Sequence, residues 1–159
     1  MSTHGTINST VFDRKIGMCG YVSTPAVTTV TNAGDWYAML GTFTNAHIEQ
    51  VSVIGTPSNP AIQYDGDVTM DFEIDWSGAF IGSAGSQHIE FAIKKGANVI
   101  TGSNMGTTEK TAGDEYSMSG TCVVSLATND TIQLVVTSAG NGQTVQAEHF
   151  TTTIRPFFY

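Results

Sequence analysis

The stretch from Val68 to Trp76, VTMDFEIDW, decides the fold class. Its apolar residues stand at every second position, and the residues between them are polar: Thr69, Asp71, Glu73 and Asp75. A period of two places the apolar side chains on one face of a β-strand and the polar side chains on the other. The stretch therefore predicts a strand of an antiparallel sheet, with one face in a core and the other toward solvent.

Further short alternations flank this strand and are separated by turn residues. His88 to Lys95 alternates through three apolar residues, and Lys95-Gly96-Ala97-Asn98 predicts a hairpin turn after it. Residues 77–86 are rich in Gly and Ser and residues 101–115 are polar, so both stretches are predicted as loops. No segment keeps apolar residues at helical spacing for more than about two turns. The other predicted strands cover residues 36–40, 48–54, 116–126, 131–138 and 145–158.

The composition also favours strands and turns. The 23 Thr, 13 Ser and 17 Gly supply 53 of the 159 residues, and all three residue types are weak helix formers. The length fits one domain, and eight or more strands in one domain suggest an all-β antiparallel jelly-roll sandwich. Residues 1–31 lack the regular alternation, so we assign them to an N-terminal arm or outer strand and residues 32–159 to the jelly-roll domain.

The charge balance excludes several classes of partner. Six Lys and Arg against 14 Asp and Glu give a formal net charge of −8, which leaves no basic stripe for nucleic acid. No apolar run approaches the roughly 18 residues of a membrane span. Residues 1–10 have neither a basic opening nor an apolar stretch, so no secretory signal is expected. The expectation is a protein assembled in a host cytoplasm, without nucleic-acid binding or membrane insertion.

The order of features in the second half adds a family resemblance. Asp65-Gly66-Asp67 leads into the alternating strand, His88 to Gly96 ends in a basic-glycine hairpin, and Asn129 to Val136 follows the pattern of a small residue, Asp and alternating apolar residues. Over residues 62–158 this order resembles the globular-head jelly roll of the complement and tumour-necrosis-factor superfamily, particularly the versions in bacteriophage and viral virion proteins. The resemblance implies a homotrimer, packed about a threefold axis through aromatic and aliphatic residues of one sheet.

Aromatic residues at the end of the chain agree with a packed interface. Phe157, Phe158 and Tyr159 are consecutive, and an exposed aromatic cluster at a terminus would be adhesive. The cluster packs either into the domain's own core or against a neighbouring subunit. We assign these three residues, together with Trp36, to the expected trimer interface.

Asp71, Glu73 and Asp75 form the candidate ligand or cation patch. On one strand face they would lie about 7 Å apart, where like charges repel unless something relieves them. A calcium ion, a cross-strand base such as Lys94, or water would each do so. A calcium loop of the D-x-D-x-D-G type with a distal Glu is not present, which disfavours calcium.

Nothing in the sequence predicts catalysis or a cofactor. No G-x-S-x-G or H-E-x-x-H motif occurs, and Cys19 and Cys122 do not have zinc-ligand spacing. His88 and Glu90 on one strand form either a pH-sensitive pair or part of a hydrated face. The four histidines belong to separate predicted elements, at His4, His47, His88 and His149. The expectation is a protein that is not an enzyme, with a small glycan hydrolase as the least favoured alternative.

These features together favour a virion structural protein. The expected role is a trimeric capsid decoration, cement or head-spike protein on the virion surface, bound to the major capsid protein or to other virion proteins. The alternative is the receptor- or carbohydrate-binding head of a tail fibre or spike. In that case a host surface glycan would contact the predicted loops at residues 77–86, 101–115 and 139–143.

Overall fold

The computed structural model describes residues 26–42 and 50–157, which form eleven β-strands and no helix. No part of this described chain provides a helix that could span a membrane. The strands are β1 (Ala26–Val30), β2 (Tyr37–Ala38), β3 (Val51–Thr56), β4 (Asn59–Tyr64), β5 (Met70–Gly82), β6 (His88–Lys95), β7 (Asn98–Val99), β8 (Met105–Thr108), β9 (Glu115–Leu126), β10 (Thr131–Ser138) and β11 (Gln143–Pro156).

The strands form two antiparallel sheets. The four-stranded sheet has the order β1-β11-β5-β9, and the seven-stranded sheet follows β3-β4-β10-β6-β7, with β2 on β10 and β8 on β6. We call the four-stranded sheet the long sheet and the seven-stranded sheet the short sheet, after the lengths of their strands. In the long sheet β5, β9 and β11 have 12 to 14 residues, whereas no strand of the short sheet exceeds eight. The predicted all-β antiparallel sandwich is confirmed.

The deciding strand alternates as predicted but has different ends. Phe72, Ile74 and Trp76 are buried, and the acids between them are partly exposed. Val68 lies before β5 and is 67% exposed, and its carbonyl accepts a hydrogen bond from the Tyr64 hydroxyl at 2.8 Å. The predicted loop at 77–86 is wrong over residues 77–82, which continue β5. Ser77, Gly78 and Ala79 pair with β9 on one side and β11 on the other, so the ladder compensates for their low strand propensity.

The predicted loop at 101–115 is also wrong in part. It contains β8, which pairs with β6, and its last residue begins β9. The buried Ser103 hydroxyl anchors the turn before β8, since it donates to the Ile100 carbonyl and accepts from the Ile93 amide. The predicted hairpin is confirmed: Lys95 pairs with Asn98, and Gly96 has φ +55°.

The start of the domain includes part of the predicted arm. Residues 26–30 form β1, the edge strand of the long sheet, with Val30 fully buried. The rest of the arm, residues 1–25, lies outside the described residues. The predicted strand at 36–40 contains only the two residues of β2. Of the predicted strand at 48–54, residues 51–54 belong to β3, and residues 48 and 49 lie outside the described residues.

A β-bulge interrupts β11. Ala147 is opposite Phe80 and His149 is opposite Ala79, so Glu148 is an additional residue on β11. Because the bulge takes up one residue, Ala147 and Phe150 both face the core although they are three positions apart.

Aromatic residues from both sheets join in one core. The rings of Phe80 and Phe91 lie 4.3 Å apart, and those of Trp76 and Phe91 lie 5.6 Å apart. Burying each such side chain contributes about 1.5–3 kcal/mol. This core fixes which side chains point outward from each sheet, and those outward side chains are the candidate binding surfaces.

Candidate functional site

The outer face of the long sheet carries a belt of hydroxyl side chains. Ser77 on β5 pairs with Ser119 on β9 and with Thr151 on β11, and the hydroxyls of Ser77 and Thr151 are 3.1 Å apart. Open depressions of about 500 and 380 Å³ adjoin the belt. We call this surface the hydroxyl face, defined by Ser77, Ser117, Ser119, Thr121, Thr151 and Thr153. It is broad and shallow, which suits contact with a protein better than enclosure of a small molecule.

The predicted acidic patch lies at one end of this face. Arg155 on β11 bridges two of its acids: Arg155 Nε lies 2.8 Å from Glu73 Oε2, and Arg155 Nη2 lies 2.9 Å from Asp75 Oδ2. The hydrogen bond from Arg155 holds the pKa of Glu73 below its usual value, and Glu73 and Asp75 raise the pKa of Arg155. The Asp71 carbonyl accepts from the Phe157 amide at 2.8 Å.

The base that relieves the acidic patch is therefore not the residue we expected. Lys94 lies on β6 in the short sheet, whereas Arg155 lies on β11 next to β5. The Arg155 guanidinium occupies the position in which a bound cation would reduce the repulsion between Glu73 and Asp75. Within residues 26–42 and 50–157, no group of three or more His, Cys, Asp or Glu is placed to hold a metal.

The residues assigned to the trimer interface are separated in the fold. Phe157 is half-buried beside Asp71, at the end of the long sheet. Trp36 precedes β2, which pairs with β10 in the short sheet. The structure does not bring these two side chains together, and Phe158 and Tyr159 lie outside the described residues.

The β9 edge is the second prominent feature of the long sheet. Among the described residues this twelve-residue strand pairs only with β5. Val123 points outward and is 45% exposed, and the core-facing Met118, Cys122 and Val124 are only partly buried. Burial, with the nearby Asp75 charge, raises the pKa of the Cys122 thiol to about 11. Burial also raises the pKa of Tyr116, to which the Glu109 charge adds.

The outer face of the short sheet carries a groove walled by Trp36. Across its floor, Thr137 on β10 pairs directly with Glu90 on β6. His88 Nε2 lies 3.1 Å from Glu90 Oε1, so the predicted pair between these residues forms. The sequence showed that Thr137 and Glu90 fall on polar positions of two predicted strands, but it did not show that those strands are neighbours.

Comparison with known proteins shows what this fold resembles. No family model matches the sequence, and no curated protein sequence matches it. The structure of Eiger TNF from S. frugiperda matches with a TM-score of 0.57 at 10% identity, over 89% of this chain and 92% of that chain. The fold is a TNF-like jelly roll. Murine APRIL, in a crystal structure at pH 5.0, matches with a TM-score of 0.51 at 9% identity, over 87% and 98% of the two chains. At these identities the TNF-like likeness is one of fold.

Proposed function

We propose that this TNF-like jelly roll is a non-enzymatic structural protein of a virus or phage particle. It forms a homotrimer that decorates the capsid or caps it as a head spike, bound to the major capsid protein or other virion proteins. The observation that carries the proposal is the β9 edge beside the hydroxyl face, which is open in the part of the chain that the structure describes.

An unpaired strand edge of this length favours association with another chain. Among the described residues the twelve-residue β9 pairs on one side, so its other side presents a row of peptide N–H and C=O groups, which templates unwanted pairing with other chains. A second copy of the chain, packed on this edge, would satisfy the edge and bury the partly exposed side chains of Met118, Cys122 and Val124. A stable contact of this kind buries about 800 Å² per partner.

The hydroxyl face fits the role of the surface that such an edge contacts. Its small side chains form a shallow surface with few charges between the Arg155 end and His149. Small hydroxyls lose little conformational entropy when they are buried, so a neighbouring subunit can pack against them at low cost. The resemblance to trimeric heads supports closure by three subunits.

Composition and resemblance support the virion setting. Charged residues are only 13% of the chain, and hydroxyls carry much of its polarity, which suits a protein that covers its surface with neighbouring protein. The order of features over residues 62–158 resembles versions of this fold in virions. A protein that binds across capsomer boundaries binds the assembled shell and not its separate subunits, so it would stabilise the assembled state relative to the dissociated one.

The trimer is tested by placing a charge on the β9 edge. Sedimentation velocity should give a trimer for the wild-type chain and a monomer for Val123→Lys, because the lysine would be desolvated at the interface. Val68→Lys is the matched control, since Val68 is also exposed but lies outside β9. Thermal melts check that both variants fold. A wild-type monomer, or a Val123→Lys trimer, would refute the proposed interface.

The virion role is tested by counting copies. Quantitative mass spectrometry of purified particles should find hundreds of copies, and the purified trimer should bind capsids that lack it. A few to a few dozen copies would favour the alternative, the receptor- or carbohydrate-binding head of a fibre or spike. Absence from particles would refute both roles.

A further inference from the structure

The groove on the short sheet is a built polar site that the proposed trimer does not use. It has a volume of about 310 Å³ and lies over β10 and β6. Tyr37 lies opposite Val136 on β10, which places the preceding residue, Trp36, beside Thr137. On its other side, Thr137 pairs with Glu90 on β6. The groove is lined by Gly34, Trp36, His88, Glu90, Thr137 and Ser138, with Ala139 at its end.

Thr137 supplies an unsatisfied group at the floor of this groove. The residue is only 8% exposed, and its hydroxyl has no hydrogen-bond partner within residues 26–42 and 50–157. Leaving a buried hydroxyl unpaired costs free energy, because the hydroxyl has lost its hydrogen bonds to water. A ligand that brings a hydroxyl group to this position would recover that energy, because a hydroxyl can both donate and accept.

The rim of the groove is held in position by hydrogen bonds. His88 Nδ1 lies 3.2 Å from the Thr108 hydroxyl, and His88 Nε2 lies 3.1 Å from Glu90 Oε1. Gly106 on β8 allows this arrangement, since a Cβ there would come within 3.1 Å of Glu90 Cγ. The carboxylate and the imidazole are therefore ordered on the groove side before any ligand arrives, which lowers the entropic cost of binding.

We propose that this Trp36 groove binds a neutral saccharide. One sugar ring lies against the partly exposed Trp36 indole, and its hydroxyls bond to the Thr137 hydroxyl and to the Glu90 carboxylate. An apolar wall with a few convergent polar groups is the usual form of a small-ligand site. A cation also suits an indole beside a carboxylate, but it offers no acceptor for the Thr137 hydroxyl. The proposal deepens the alternative role as a glycan-binding head and does not depend on the trimer.

The experiment titrates the full chain with a panel of neutral tri- and tetrasaccharides of hexoses and N-acetylhexosamines. Calorimetry and indole fluorescence report binding, and tetramethylammonium chloride is titrated as the cationic probe. Of the two Trp, Trp76 is buried and Trp36 is partly exposed, so a fluorescence change reports on the groove. Wild type should bind at least one saccharide and not tetramethylammonium.

Variants locate the binding in the groove. Thr137→Val removes the hydroxyl at nearly constant shape and should weaken binding about five- to tenfold. Thr131→Val, at another outward position of the same strand, should leave binding unchanged. Trp36→Ala should weaken binding more than tenfold, while Trp36→Phe keeps an aromatic face and should retain most of it.

Three results would overturn the proposal: no saccharide of the panel binds, Thr137→Val and Thr131→Val bind alike, or tetramethylammonium binds in a Trp36-dependent way. Melting curves establish that each variant is folded. Sedimentation of the same samples separates this result from the trimer proposal, because the groove variants should leave the oligomeric state unchanged.

Discussion

The two sheets of the sandwich differ in strand length and in how their edges end. The long sheet has three strands of 12 to 14 residues, and one of them, β9, forms an edge among the described residues. The short sheet ends in strands of two to six residues at β7, β8 and β3. Short edges are poor templates for further pairing. The difference underlies our two proposals, in which the long sheet associates with another copy of the chain and the short sheet carries a ligand groove.

The largest expected effect concerns how the long sheet closes over the core. A Cβ at Gly120 would lie 2.7 Å from the indole nitrogen of Trp76, which is buried against Phe91. Gly120→Val should therefore lower the free energy of unfolding by about 3 kcal/mol in urea titrations, because the indole has no room to move. Ser119→Val, one position away on the outer face, should change it by less than about 0.5 kcal/mol. Equal effects would show that β9 does not seal the core.

The next prediction tests how well β9 shields its inner side chains. The pKa of Cys122 is raised to about 11, mainly by burial. In a Cys19→Ser background, we expect the native thiol to react with a disulfide reagent at pH 8 about 100-fold more slowly than in the urea-unfolded chain. Equal rates would mean that the edge opens faster than the reagent attacks.

A smaller effect is expected at a turn of the short sheet. Asp130 Oδ2 accepts from the Ala127 amide at 2.8 Å and lies 2.7 Å from Lys95 Nζ, and the bond to Lys95 lowers the pKa of Asp130. Asp130→Asn should lower the free energy of unfolding by about 1 kcal/mol at pH 7.

The pH dependence of that difference follows from the direction of the shift. A carboxyl with a lowered folded pKa stabilises the protein above its unfolded pKa, near 3.9, and this contribution is lost as pH falls through the folded pKa. Urea midpoints of wild type and Asp130→Asn should therefore converge as the pH falls below the unfolded pKa. A gap that stays constant from pH 7 to pH 2.5 would assign the loss to the turn geometry instead of the charge.

The smallest effect is expected from the exposed ion pairs of the long sheet. Arg155→Gln should change stability less than Asp130→Asn does, because Arg155 is more than half exposed and water screens its pairs. NMR titration should nevertheless show the pKa of Glu73 rising toward its ordinary value, since Arg155 is the main cause of its depression. An unchanged Glu73 titration would refute the bridge. The matched test is Lys94→Gln, which should leave Glu73 unaffected.

The sequence predicted the parts of the fold that depend on local alternation. In the deciding strand, the burial of Phe72, Ile74 and Trp76 follows directly from the period of two. Residues 77–82 were mispredicted because glycine and serine signal a loop locally, while two long neighbouring strands hold them in a sheet. Tertiary context overrode propensity there.

The candidate sites depended on strand pairing and were less predictable. Glu73 and Arg155 are 82 positions apart in the chain, and only the β5–β11 pairing brings them together. His88 and Glu90 were predictable as a pair because they lie two positions apart on one strand. The partner of His88 at Thr108 was not, since β8 was expected to be loop.

The bulge at Glu148 makes the position of a deletion in β11 matter more than its size. Ala147 and His149 already lie opposite the adjacent residues Phe80 and Ala79, so deleting Glu148 would leave a regular ladder with Phe150 and Ile154 still facing the core. Deleting Thr151 would instead reverse the inward and outward assignment along the rest of the strand, so that Ile154 turned to solvent while Arg155 entered the core. Gene variants of this protein should therefore tolerate loss of the Glu148 codon far better than loss of the Thr151 codon.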